Sequence, residues 1–180
     1  GGHRRAVRDA AGADYGVQLA IERGFLRGPR LFFAGAPLSQ TGGHADIRPR
    51  GVQEFICTCA GLGLFPALAD GVPEVRRAVR EQLRSGANQI KIMAGGGVAS
   101  PTDPIDGTQY SLEELTAACE EASAANTYVM AHAYSPRSIT RAVQCGVRSI
   151  EHGNLLDEDS AKVIKAHGAY LAQDAFYERL

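Results

Sequence analysis

Strict alternation of short apolar strands with helices constrains this chain more than any other feature. Residues about 4–8 read as a strand. Ala13 to Arg23 reads as a helix, with Val17, Ala20 and Ile21 at helical spacing and Gly24 as its stop. Arg30 to Ala34 is a compact apolar strand. Pro73 opens a helix whose stripe is Val75, Ala78, Val79 and Leu83, and Ser85-Gly86 closes it. A strand at about 88–93 follows, then a Gly/Pro-rich loop over 94–110. Ser111 and Glu114 form a capping-box pattern, and the helix they open places Leu112, Leu115, Cys119 and Ala122 inward. Tyr128 to His132 is the next strand. Ser135-Pro136 starts a helix with Ile139, Ala142 and Val143 inward. Arg148 to His152 is again a strand, Asp157 caps a helix running to Ala166, and Ala169 to Ala172 is the last strand.

The order β-α-β-loop-α-β-α-β-α-β-α-β demands a parallel sheet with right-handed crossovers. Two architectures satisfy it: a doubly wound sheet, or a (β/α)8 barrel of which six strands are visible. One interval, from about 35 to 71, breaks the rhythm. It is long enough to be expected to serve as a lid.

A length of 180 residues fits one domain, here taken as 1–180. The formal net charge of −1, with no long run of like charges, argues against a nucleic-acid or membrane-surface role. No apolar run approaches the roughly 18 residues that a spanning helix needs. The four cysteines form no C-x-x-C pair, which fits buried free thiols in a reducing compartment. Cys57-Thr58-Cys59 lacks neighbouring ligands that would make it a metal site. The chain starts at Gly1-Gly2-His3 and stops at Leu180 where a helix is beginning, so both ends read as cut from something longer. A cytoplasmic location is expected on these grounds, and further copies of the chain are an admissible partner.

Within this frame one lysine is out of place. Lys91 lies between Ile90 and Ile92, in a strand that runs into Gly95-Gly96-Gly97. Alternation puts the isoleucines on one face and Lys91 on the other, with Gln89 and Met93. A buried ammonium is costly. The lysine is therefore either on an edge in solvent or chemically used. Its uses include a Schiff base, or a carbamate with CO₂ that bridges two metals. His132 and His152 each end a strand, at the end where parallel α/β proteins build their sites, and imidazole is the commonest metal ligand. The three residues stand at what read as equivalent strand-end positions. The glycine triplet does not open into a helix, so a phosphate cradle is disfavoured against a mobile loop. His44 is either a solvated loop residue or a substrate contact from the lid. Tyr134 is placed to polarise a carbonyl. Arg137 either meets a substrate carboxylate or lies on a helix surface. His3 and His167 read as structural.

Ile90-Lys91-Ile92 before the triplet, Ala131-His132-Ala133-Tyr134 and Ser149-Ile150-Glu151-His152-Gly153 together resemble the amidohydrolase superfamily. The resemblance is to its imidazolonepropionase-like and Xaa-Pro or Xaa-Arg dipeptidase branch. Arg8-Asp9 before Ala11-Gly12, and Thr41-Gly42-Gly43-His44, match as well. It implies a (β/α)8 barrel, here about strands two to seven. It implies a binuclear centre, usually zinc, with Lys91 as the carboxylated lysine and His132 and His152 as ligands. Tyr134 would assist catalysis, with His44, Tyr134 and Arg137 touching an amide or dipeptide substrate. The H-x-H pair of the first barrel strand does not occur in this sequence, and the aspartate of the eighth falls beyond its end; Asp174 is not placed to be that base. Two other readings stay open: a Schiff-base lyase built on Lys91, and a non-catalytic module that lacks the remaining ligands.

Overall fold

The computed structural model describes residues 3–6, 13–51, 66–98 and 102–173. Cys57, Cys59, Asp174 and the expected helix at 175–180 lie outside these. The alternation is realised as parallel strands with helices between them. The strands are β1 (His3–Ala6), β2 (Arg30–Phe33), β3 (Leu38–Ser39), β4 (Ala67–Leu68), β5 (Ile90–Met93), β6 (Val129–Ala133), β7 (Ser149–His152) and β8 (Tyr170–Ala172). The helices are α1 (Ala13–Glu22), α2 (Val72–Arg84), α3 (Leu112–Ala124), α4 (Pro136–Gln144) and α5 (Glu158–Ala166).

β4, β3, β5, β6, β7 and β8 form one parallel sheet in that order, and β1 pairs in parallel with β2. Asn88 stitches the two together. Its backbone N–H donates to the Phe33 carbonyl (2.8 Å) and its Oδ1 accepts from the Phe33 N–H (3.0 Å). The path β2–β3 is thus one strand interrupted at Gly35. There φ is +68, and a Cβ would lie 2.5 Å from Gln82 Oε1, the oxygen that accepts from the Ala36 N–H. The consecutive run β1, β2–β3, β5, β6, β7, β8 is the partial parallel barrel expected, and the doubly wound alternative falls away.

The 35–71 interval is not wholly irregular. It contains β3 and β4, each two residues long and too short for a period-two pattern. Loop 41–46 folds over them, with the Asp46 carboxylate accepting from the Gly42 N–H (2.8 Å) and pairing with Arg48 (2.6 Å).

The apolar core lies between sheet and helices. Ile90, Ile92, Val129, Ala131 and Ile150 pack against Val75 and Val79 of α2, Leu115 and Ala118 of α3, and Ile139 and Val143 of α4. Removing one of the buried isoleucines to Ala would cost on the order of 2–5 kcal/mol. Ser111 and Asp157 both close capping boxes, and Ser135 caps α4. Two positions differ from expectation. Leu112, the first residue of α3, is 47% exposed, and Val17 of α1 is 43% exposed. What α1 buries is Gln18, whose amide donates to the Leu31 carbonyl and to Asn88 Oδ1.

Candidate active site

With Ile90 and Ile92 turned to the helices, alternation sends Lys91 to the inner face of the sheet, where it is 2% exposed. The solvent-edge reading of this lysine is excluded. Pairing register puts Lys91 beside Met130 and Ser149, and Met93 beside His132 and Glu151. Lys91 therefore sits one inward layer below His132.

His152 departs from the register rule. It pairs with Ala133, a helix-side residue, so plain alternation would aim it away from the inner face. Its φ is +79, in the left-handed region that non-glycine residues rarely adopt. The strand ends there, and the imidazole meets His132 (ring centroids 4.9 Å) and Tyr134 (5.4 Å). Lys91, His132 and His152 are therefore not equivalent positions, as sequence implied. Two follow alternation, and the third reaches the cluster through a strained backbone.

Tyr134 is buried, edge-on to His132 at 4.9 Å. His44 comes from the distant 41–46 loop and lies flat on His132, with centroids 4.0 Å apart and planes 10° from parallel. Its solvated-loop reading is overturned, because the side chain is 14% exposed and hydrogen-bonded to Asp103 (3.1 Å). Arg137 stays outside the cluster, exposed at the second residue of α4. His167 caps α5, its Nδ1 on the Val163 carbonyl at 2.9 Å, in the structural role expected.

The glycine triplet is packed closely against other parts of the chain. All three glycines are buried. The Gly96 N–H donates to Gly107 O, and a Cβ there would lie 1.8 Å from the Pro104 carbonyl oxygen. A Cβ on Gly97 would lie 1.8 Å from His44 Cε1. Absence of side chains lets loop 102–109 and His44 close onto the strand end. The Gly96 carbonyl also accepts from His132 Nε2 (3.0 Å). That bond fixes the tautomer and leaves Nδ1 with a lone pair.

Sequence reasoning missed two carboxylates. Glu151 is buried on the inner face beside His132 and accepts from Ser149 Oγ (2.6 Å). Alternation from Ile150 would have located it. Asp103 had no such signal, because 59 residues separate it from His44. Beside Asp103 an open groove of about 530 Å³ runs past Arg50, Gly97, Val98, Pro104 and Ile105.

The divalent ions that the resemblance implies require neutral imidazoles and buried anionic oxygen. Burial, reinforced by the neighbouring His44 and Lys91, pushes the His132 imidazole down to about 2, so it is held in its ligating form. Its second nitrogen is anchored on a backbone carbonyl, as in ordinary metal-ligating histidines. The donor types fit. Among the described residues, however, no three His, Cys, Asp or Glu side chains group as a metal cluster.

Comparison with known proteins agrees. The Amidohydrolase family model matches residues 6–179. The ochratoxinase of Aspergillus niger is 40% identical over 171 residues, covering 91% of this chain and 36% of the relative. The chain thus spans little more than a third of that protein's length. Among solved structures, a prolidase crystallised with N-methylphosphonate-L-proline superposes with a TM-score of 0.85 at 58% identity, covering 93% of this chain and 41% of that one. A Xaa-Pro dipeptidase with methionine in its active site gives 0.82 at 32%, covering 94% and 41%. No helix among the described residues is long and apolar enough to cross a membrane. By sequence and by fold, this chain belongs to the amidohydrolase family.

Proposed function

We propose that the protein carrying this chain hydrolyses amide bonds of dipeptides or N-acyl amino acids, in the manner of a metal-dependent dipeptidase. The observation that carries this reading is the convergence of His44, His132, Tyr134 and His152 over a buried Lys91, at the C-terminal end of parallel strands. The similarity to a prolidase and a Xaa-Pro dipeptidase supports the substrate class. Members of this family generally use divalent metals. Here the ligands from this chain would be His132, through Nδ1, His152, and Lys91 as a CO₂ carbamate, with zinc as the expected metal. When bound, such ions activate water near neutral pH and polarise the scissile carbonyl.

The chain's own residues do the rest. Burial keeps His132 neutral, and the Gly96 carbonyl holds its ring in one orientation. Tyr134 is locked between the two histidines, which leaves its hydroxyl few positions from which to donate to the carbonyl oxygen. His44, fixed over His132, presents a ring edge for a substrate oxygen. The groove past Arg50 and Ile105 provides space for the rest of the substrate. The Arg137 carboxylate contact expected from sequence is a weaker part of the reading, because that side chain lies in solvent outside the cluster.

The test is a panel of dipeptides and N-acyl amino acids on the full-length protein, with elemental analysis and chelation. About two metals per chain, and activity abolished by chelator, are expected. Lys91→Ala should lose activity and regain part of it with added short carboxylic acids, which replace the carbamate oxygens. Borohydride trapping of a carbonyl substrate on Lys91, with activity indifferent to chelator, would establish the Schiff-base alternative instead.

A further inference from the structure

We infer that Asp103 is the positioning residue for His44, acting with Gln109 to hold that imidazole over the catalytic cluster; this rests on the proposed role of His44 toward substrate. The two residues come from loops that share no secondary structure. Left to itself, a loop histidine samples several rotamers. Here His44 Nδ1 meets Asp103 Oδ2 at 3.1 Å. The same oxygen accepts from Gln109 Nε2 (3.2 Å), while Gln109 Oε1 accepts from the His44 backbone N–H (2.9 Å). The carboxylate thus fixes the ring, and the amide fixes the backbone that carries it. Gly96 and Gly97 make room for both, one for the Pro104 carbonyl and the other for the imidazole.

Stability does not account for Asp103. Its side chain is 5% exposed, and its Oδ1 is buried with no hydrogen bond among the described residues. A buried carboxylate oxygen left unsatisfied costs folding energy. What the carboxylate gains in return is directional: tying Nδ1 to Asp103 sets how the imidazole lies over His132. Asp103 orients the ring and does not touch substrate.

The experiment is a double-mutant cycle in the full-length enzyme, using the best substrate of the panel described above. His44→Ala should lower kcat/KM by about 100-fold, in line with losing one oriented contact. Asp103→Ala and Asp103→Asn should each lower it, with Asn the milder because it keeps an acceptor. Neither should lower it further in the His44→Ala background. In ¹³C-histidine-labelled protein, the His44 Hε1 resonance, displaced by the His132 ring beneath it, should move toward its solvent position in Asp103→Ala. Equal Asp103 effects in both backgrounds, or an unmoved resonance, would overturn the inference while leaving the role of His44 intact. Full activity in His44→Ala would overturn that role itself, and the inference with it. Asp103→Asn, nearly isosteric, carries the cycle if the alanine variant does not fold.

Discussion

The imidazoles of His44 and His132 lie face to face, 4.0 Å between centroids and 10° from parallel, although 88 residues of chain separate them. Two stacked imidazoles so close cannot both carry charge cheaply, and burial already keeps His132 neutral. The stack exists because Gly97 has no side chain. A Cβ there would overlap the His44 ring, at 1.8 Å from Cε1.

Gly97→Ala should therefore displace His44 while sparing the core, whose residues lie on the other side of the sheet. The expected result is a 10- to 100-fold fall in kcat/KM, with metal content unchanged and little change in Tm. Wild-type kinetics in this variant would mean that the histidine stack plays no part in turnover.

His152 offers a way to separate function from stability. A non-glycine residue at φ +79 stores strain of order 1–3 kcal/mol. His152→Gly relieves that strain and His152→Ala does not. Both variants should lose metal and activity. Measured without metal, the glycine variant should be the more stable of the two by about 1 kcal/mol in chemical denaturation, after glycine's greater unfolded-state entropy is offset. Equal stabilities would show that the backbone relaxes when the ring is gone.

What could be read from sequence was set by distance along the chain. Helix starts are local, so Ser111, Ser135 and Asp157 were recognisable as caps. Lys91 and His132 were recognisable because each is a polar residue in an otherwise apolar strand. Glu151 was readable in principle. β3 and β4 are too short to show any period. The aim of His152 depends on a backbone angle that its residue type does not announce. The pairing of His44 with Asp103 depends on two loops meeting in space, and no local pattern encodes that.

Loop 41–46, which carries His44, should be acid-sensitive. The bidentate Arg48 contact, with the Gly42 N–H, holds the Asp46 carboxyl below its ordinary value of 3.8, against the opposing effect of burial. A depressed carboxyl stabilises the loop above the unfolded value, and that contribution is lost as pH falls through the folded one. Asp46→Asn should mimic the acid state at neutral pH. KM should rise several-fold with a smaller change in kcat, together with faster backbone hydrogen exchange at 41–46. An unaltered exchange pattern would show that the loop is held by other contacts.

The α2–α3 seam makes a second prediction about pH. Glu121 receives Arg80 at 2.7 Å and Arg76 at 2.9 Å, and these two guanidinium groups, Arg80 foremost, lower its carboxyl from 4.5 to about 2. In the unfolded chain the carboxyl takes up its proton near 4.5, and in the folded protein only near 2. The stabilisation is therefore complete above about pH 4.5 and is lost as pH falls from there toward 2. Arg80 is 66% exposed, so salt screens much of the attraction and the effect on Tm should be small. Glu121→Gln should lower Tm at pH 7 and low salt, less so in 1 M NaCl, and should bring the Tm difference from wild type toward zero as pH approaches 2. A Tm difference that stays constant from pH 7 to pH 2 would trace the loss to packing between the helices and not to charge.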